Sequence, residues 1–389
     1  MSQKKALAII LIVSPLLACS HPASKVSASW NRKTAVAYLD DRENWWAGSM
    51  VSARDHGTFC VSCHTALPYA LARPALRSTL AETGPSSGEQ KLIDNVTKRV
   101  RMWKDAAPYY SDQSYGGKAE ESRGTEAVLN ALLLANYNSQ RGQLGNDTRA
   151  AFENMWTLQR TTGGETGSWS WLQFDEEPWE AKDSVYYGAT LAALATGIAP
   201  ASYASTPAIQ GNLTLLRQYL NREMSSQSTL NRVFLLWAST KLPGLLSSEQ
   251  QNAIIREVQS RQQRDGGWRL SSITWTWNRR STRTMIQMWL REDGTPLSGR
   301  SDGVATGLIT FVLQEVGVSR TETHVQRGLA WLTSNQTSEG SWPALSVNKK
   351  RDPSSGAGLF MADAATSFAV LSLTENERTV VANATTSGK

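Results

Sequence analysis

Four stretches of the chain share one arrangement of apolar and polar positions. They read EESRGTEAVLNALLLA from Glu120, DSVYYGATLAALATG from Asp183, DGVATGLITFVLQEVG from Asp302 and DAATSFAVLSL from Asp363. Apolar and small residues recur at spacings of three and four, which predicts helices with a wide buried face. Each is opened by a carboxylate, where a cap or a first-turn acid satisfies free backbone N–H groups. Counted from Glu121, the successive steps are 62, 119 and 61 residues. The middle step is two periods long, and STLNRVFLLWAS (228–239) fills it as a degenerate copy. TALPYALARPAL (65–76) supplies a first copy one period before Glu121. The pattern predicts about six helical hairpins.

Glycine–tryptophan corners lie between the helices: QRTTGGETGSW (159–169), QQRDGGW (262–268) and NQTSEGSW (335–342). Glycine permits a turn with positive φ. The following indole can then cover the end of the preceding helix, while the glutamine amide serves backbone groups left open there. The last copy, from Arg327-Gly328 through Trp331 and Gln336 to Gly340-Ser341-Trp342, resembles the QW motif of squalene-hopene and oxidosqualene cyclases at every position. WSWLQFDEEPWEAKDSVYYGATLAALA and GSWPALSVNKKRDPSSGAGLFMADAATSFAVLSL are likewise similar to bacterial squalene-cyclase-like repeat proteins, and the resemblance spans residues 90–375. It implies an all-α fold, an (α/α)6 toroid of the squalene cyclase/prenyltransferase type. An inner ring of helices would surround a cavity and an outer ring would cover it. Most of the fifteen tryptophans would then brace the rim. Trp171, Trp179 and Tyr186 would turn to the cavity.

The resemblance does not carry its chemistry with it. Terpene cyclases of this family protonate an alkene with an acid in D-x-D-D, and the chain has none; Asp40-Asp41-Arg42-Glu43 and Asp175-Glu176-Glu177 have the wrong spacing. Prenyltransferase-type zinc needs Asp, Cys and His; Asp302 is suitably placed, but no Cys follows it and His324 opens another segment. No Cys-Gly-Glu-Gln thioester sequence occurs. As catalytic groups Asp183, Tyr186, Asp302 and Asp363 are the candidates, and Tyr187 and Glu180 can be drafted as a base or acid. Helix capping and core packing account for such residues more simply.

The sharpest chemical signal is Cys60-Val61-Ser62-Cys63-His64. C-x-x-C-H is the attachment sequence of c-type haem, the thiols binding the vinyl groups and the imidazole the iron. Cys60, Cys63 and His64 are therefore the expected cofactor residues within residues 56–69, with His56, Met102 or Met50 as a sixth ligand. Two alternatives stay open: no cofactor, with a Cys60–Cys63 disulfide, and zinc held by Cys60, Cys63, His64 and a carboxylate. Aligning the repeats puts CVSCH at the start of an inner helix, beside Glu121, Asp183, Asp302 and Asp363 at one mouth of the ring.

The amino terminus bears on location. Lys4 and Lys5, the apolar run 6–18 and Leu16-Leu17-Ala18-Cys19 have the form of an export signal whose end resembles a lipobox. Residues 1–18 are read as a lipoprotein signal peptide, Cys19 as the lipidated residue, 19–30 as a tether, 31–376 as the toroid and 377–389 as a flexible tail. Ser20, rather than Asp, after the cysteine points to the outer membrane, with the ring facing the periplasm. The formal charge of +6, reduced to +4 without Lys4 and Lys5, forms no dense basic block, so nucleic acid is excluded as a partner. Asn348–Gly358 (NKKRDPSSGAG) reads as a loop whose Lys349, Lys350 and Arg351 are solvated or meet an anion.

Together these signs describe a squalene-cyclase-like envelope lipoprotein carrying haem and binding an apolar, isoprenoid-like ligand, with a redox role. The alternatives are a terpene cyclase or lyase lacking the D-x-D-D acid, and a non-catalytic binding scaffold.

Overall fold

The computed structural model describes residues 29–111, 117–200, 202–274 and 289–386, with side chains to residue 375. The signal segment, Cys19 and the tether up to residue 28 lie outside these residues. Twelve α-helices are present among the described residues, with one two-stranded ribbon, β1 (Ala53–Arg54) and β2 (Thr58–Phe59). Helices α1 (Arg32–Gly48), α3 (Ser87–Arg101), α5 (Asn146–Thr157), α7 (Gln210–Glu223), α9 (Ser248–Ser260) and α11 (Thr323–Ser334) alternate with α2 (Ala66–Thr79), α4 (Ala119–Ser139), α6 (Ser184–Ile198), α8 (Thr229–Lys241), α10 (Gly303–Glu315) and α12 (Phe360–Thr386).

The even-numbered helices form a closed inner ring. α2 packs on α4, α4 on α6, α6 on α8, α8 on α10 and α10 on α12, and α12 returns to α2. The odd-numbered helices pack outside this ring. This is the (α/α)6 toroid that the repeats predict, and the inner helices are the six copies read from the sequence. Their composition explains the sorting. α6 is buried on all sides from Ser184 to Thr196, whereas α9 buries only Ile254 and Val258. Residues 357–375 are apolar and long enough to cross a membrane, but most of that stretch is buried, with α12 packed between α2 and α10.

The glycine–tryptophan corners fasten the rings together in one repeated manner. Trp169, Trp268 and Trp342 are fully buried, and each indole N–H donates to a carbonyl near the end of the preceding outer helix: Met155 at 2.6 Å, Val258 at 2.7 Å and Leu332 at 2.7 Å. The glutamine amides reach two ways. Gln159, Gln262 and Gln336 each donate to the glycine carbonyl of their own corner. Each also donates to a backbone carbonyl of the next outer segment, that of Asn212, His324 and Asn31 respectively. Gly266 shows why glycine stands at the turn: its φ is +96°, and a Cβ there would lie 2.8 Å from the Arg327 carbonyl oxygen.

Aromatic side chains fill the ring. Tyr187 meets Trp171 and Phe234 edge-on, Phe234 meets Phe368, and Trp237 meets Phe311 edge-on at 5.1 Å. One cavity of about 570 Å³ is lined by the C-terminal parts of α2, α4, α6, α8 and α10 and by the middle of α12, from Leu71 to Glu375. The inner helices thus run parallel, and their N-termini gather at the other mouth.

Candidate functional site

Three segments leading into inner helices build the N-terminal mouth: the CVSCH segment before α2, residues 172–183 before α6, and residues 343–359 before α12. They are joined by polar contacts that bind the second to the third. Glu177 N–H donates to Asn348 Oδ1 at 2.9 Å, and Asn348 Nδ2 donates back to the Glu177 carbonyl at 2.7 Å. Lys349 and Arg351 pair with the two oxygens of Glu176, each at 2.7 Å. Beneath this clasp is a cleft of about 50 Å³ bordered by Cys63, His64, Trp179, Glu180, Asn348 and Phe360.

Glu180 is the open group of the cleft. Its backbone is tied into the turn, N–H to the Glu176 carbonyl at 3.0 Å and carbonyl from the Phe174 N–H at 2.8 Å. Its carboxyl has no hydrogen-bond partner among the described residues. Burial, then the charge of Glu176, pushes its pKa up to about 7, against the pull of Arg351.

His64 is held from behind by a relay. Its Nδ1 lies 2.8 Å from Thr65 Oγ1, and that hydroxyl donates to Asp363 Oδ2 at 2.6 Å. The hydroxyl has a single proton, so Nδ1–H is the donor to Thr65 and Nε2 keeps its lone pair. The ring is stacked on Phe360 at 3.6 Å, and Trp46 meets its edge at 5.0 Å. Burial, followed by Arg42 and Arg351, lowers its pKa to about 3, so His64 is neutral near pH 7. It is a hydrogen-bond acceptor there and a poor proton carrier.

The acids that open the inner helices do gather at this mouth, but most are already engaged. Asp363 accepts from Arg42 Nε at 2.7 Å and Nη2 at 2.9 Å, from Tyr38 and from Thr65. Burial raises its pKa while Arg42 opposes. Asp302 caps α10 through Ala305 N–H at 3.0 Å and accepts from Leu270 N–H at 2.6 Å; burial pushes it up to about 6. Asp183 is the N-cap residue of α6 without a side-chain cap bond. Tyr186, expected at the cavity, instead packs on Tyr219 of α7 and donates to the Leu220 carbonyl at 2.8 Å. Trp171 is buried against Tyr187, with its N–H on the Trp179 carbonyl, and Trp179 does border the cleft.

The CVSCH thiols are buried in the core beside this cleft. Cys60 and Cys63 are free, 3% and 4% exposed, and part of the apolar core. Burial pushes Cys60 up to about 11 and raises Cys63, leaving both as protonated thiols. The cleft beside them is of the order of one or two waters, far below a porphyrin. Among the described residues no three His, Cys, Asp or Glu side chains converge as a metal set. Of the expected sixth ligands, His56 is exposed at φ 54° in the turn of the β1–β2 ribbon, Met102 caps the C-terminus of α3, and Met50 is 94% exposed.

No family model and no curated protein matches the chain. Solved structures similar to it include glycosidases. A glycosidase variant has 10% identity and a TM-score of 0.49 over 88% of this chain and 98% of its own. A second variant, in complex with glucose, has 11% identity, the same TM-score and the same coverage. A possible member of the GH105 family from Klebsiella pneumoniae has 12% identity and a TM-score of 0.48 over 97% of this chain and 100% of its own. None of these three is a squalene cyclase, and the squalene-cyclase resemblance is corrected on this point. The reading as a cyclase-like haem protein for an apolar ligand is corrected with it; among the described residues no set of three metal-ligating side chains converges at CVSCH.

Proposed function

We propose that the chain is an acid–base hydrolase acting on glycosidic bonds, with Glu180 as the proton donor. One observation carries this reading: an unpartnered carboxyl borders the cleft, with a pKa of about 7 that keeps a proton available near neutrality. Glycoside cleavage needs such an acid to protonate the leaving oxygen, and a second, ionised carboxylate nearby. Glu176, held by Lys349 and Arg351 at the border of the same cleft, is the candidate for that second group. As it stands the cleft admits only water-sized groups, so a sugar enters once the Glu177–Asn348 clasp opens; Trp179 and Phe360 then offer apolar faces, and His64 Nε2 accepts from a hydroxyl. Residues 1–19 support export and lipidation at Cys19, which would hang the ring from the outer membrane on its periplasmic side.

The test is a panel of aryl glycosides and oligosaccharides. Hydrolysis is expected, with kcat reduced by ~10²–10⁴ in Glu180→Gln and an alkaline limb of kcat/KM near pH 7. Full activity in Glu180→Gln, or none against any glycan in the wild type, overturns the reading. Palmitate labelling lost in Cys19→Ser tests the anchor.

A further inference from the structure

A second cleft, of about 360 Å³, lies at the same mouth, and Ser346 borders both. Three guanidinium groups face it: those of Arg269, Arg291 and Arg300. Buried arginines elsewhere in the chain have carboxylate partners, as in Arg42–Asp363, Arg73–Asp40 and Arg99–Glu126. Of these three only Arg291 is buried, Arg269 being half-buried and Arg300 exposed, and none forms an ion pair among the described residues. Arg291 is 9% exposed and donates only to neutral oxygens, Nε to the Ser346 carbonyl at 2.7 Å and Nη1 to Thr295 and Pro296 at 3.2 Å. The buried Nε of Arg269 has no partner, and its Nη1 makes one long bond to the Gly299 carbonyl at 3.4 Å.

The nearby acids answer these charges only at a distance: Asp302 attracts Arg269 and Asp293 attracts Arg291, without an ion pair. Asp265 accepts from Ser301 at 2.7 Å, Gly267 N–H at 3.1 Å and Trp331 Nε1 at 3.3 Å. Asp302 is spent on the backbone of Leu270 and Ala305. A buried guanidinium without a counter-charge is unfavourable unless something supplies one. The planar fork of arginine matches carboxylate and sulfate oxygens in pairs. The apolar wall beside the arginines, including Leu297, Trp331 and Pro343, gives a ring a surface to lie on. The volume is at the small end for ligand sites, which suits one or two sugar rings.

We propose that this cleft binds an oxyanion, a carboxylate or sulfate group, borne by a sugar. The anion stands on the arginines alone; that a sugar carries it rests on the reading of Glu180 above. Calorimetric titration with glucuronate, glucose 6-sulfate and glucose tests it, on the wild type, Arg300→Gln, Arg269→Gln/Arg300→Gln and Glu180→Gln. At least one acid is expected to bind about tenfold or more tightly than glucose. That affinity should fall about tenfold in the double variant, partly in Arg300→Gln, whose side chain is exposed, and not in Glu180→Gln. The preferred acid distinguishes sulfate from carboxylate. Neither acid binding better than glucose, or wild-type affinity in the double variant, overturns the proposal. Acid binding that persists where no hydrolysis is found sinks the hydrolase reading and leaves the anion site standing.

Discussion

Asn31 and Gln336, 305 positions apart, bond to each other twice: Asn31 N–H donates to Gln336 Oε1 at 2.7 Å, and Gln336 Nε2 donates to the Asn31 carbonyl at 3.0 Å. Asn31 caps α1, and Gln336 belongs to the last glycine–tryptophan corner. The bond pair therefore ties the two ends of the toroid, and the same device used between internal repeats also closes the circle.

Gln336→Ala should remove both bonds and destabilise the protein by about 1–2 kcal/mol. Because the break is at the seam, amide exchange should rise first in α1 rather than across the ring. Gly340→Ala acts on the same corner through strain: φ is +93°, and a Cβ would press on the Thr34 backbone. Its cost should be about 1–3 kcal/mol by chemical denaturation. A loss of stability spread evenly over all repeats in Gln336→Ala would show that the seam is not the weak point.

Asp363→Ala should be among the most damaging single changes. Arg42 and Asp363 are 9% and 2% exposed at the side chain, so removing the acid strands a buried guanidinium. Loss of a partner in such a pair costs about 3–5 kcal/mol. Asp363→Asn retains volume and an acceptor and should cost less. Asp363→Ala also removes the anchor behind Thr65, so His64 should lose its fixed orientation, seen as a change in its imidazole NMR signals.

The clasp over the cleft gives a third expectation. Asn348→Ala deletes both bonds to Glu177, for about 1–2 kcal/mol of local closing energy. Amide exchange in residues 172–182 and 343–352 should accelerate together while the inner helices stay protected. Acceleration in only one of the two segments would mean that they do not open as a unit.

The architecture was legible in the sequence because repetition and period expose it: each stretch read as an inner helix, from TALPYALARPAL to DAATSFAVLSL, is one. The corners were legible too, since Gln, Gly and Trp at fixed spacing act within a dozen residues. The site was less so. Glu180 was one acid among several, and nothing local distinguishes a free carboxyl from a spent one such as Asp302. What singles it out is tertiary: the acidic run at 175–177 meets the basic run at 349–351 and roofs over the turn that holds Glu180. The complementarity of those two runs was a readable signal, passed over because they lie some 170 positions apart. CVSCH shows the converse: a short motif is local, and whether its thiols are reachable depends on packing that spacing does not encode.

The last expectation separates the two titrating groups of the cleft by sign. Glu180 has a folded pKa of about 7 against an ordinary 4.5, so between these values the folded state binds more protons than the unfolded one. Its contribution to stability is complete below pH 4.5 and is lost as pH rises to 7. His64 goes the other way: its folded pKa of about 3 lies below the ordinary 6.5, so the unfolded state binds more protons in that window, and stability is lost as pH falls. Each slope is at most about 1.4 kcal/mol per pH unit, and the two oppose each other over the shared range. Relative to wild type, Glu180→Gln should therefore gain stability steadily from pH 4.5 to 7, and His64→Gln should lose it from pH 3 to 6.5. Urea denaturation across that range measures both. If the Glu180→Gln difference is flat with pH, the carboxyl titrates normally, and with it goes the proton donor on which the proposed hydrolysis depends.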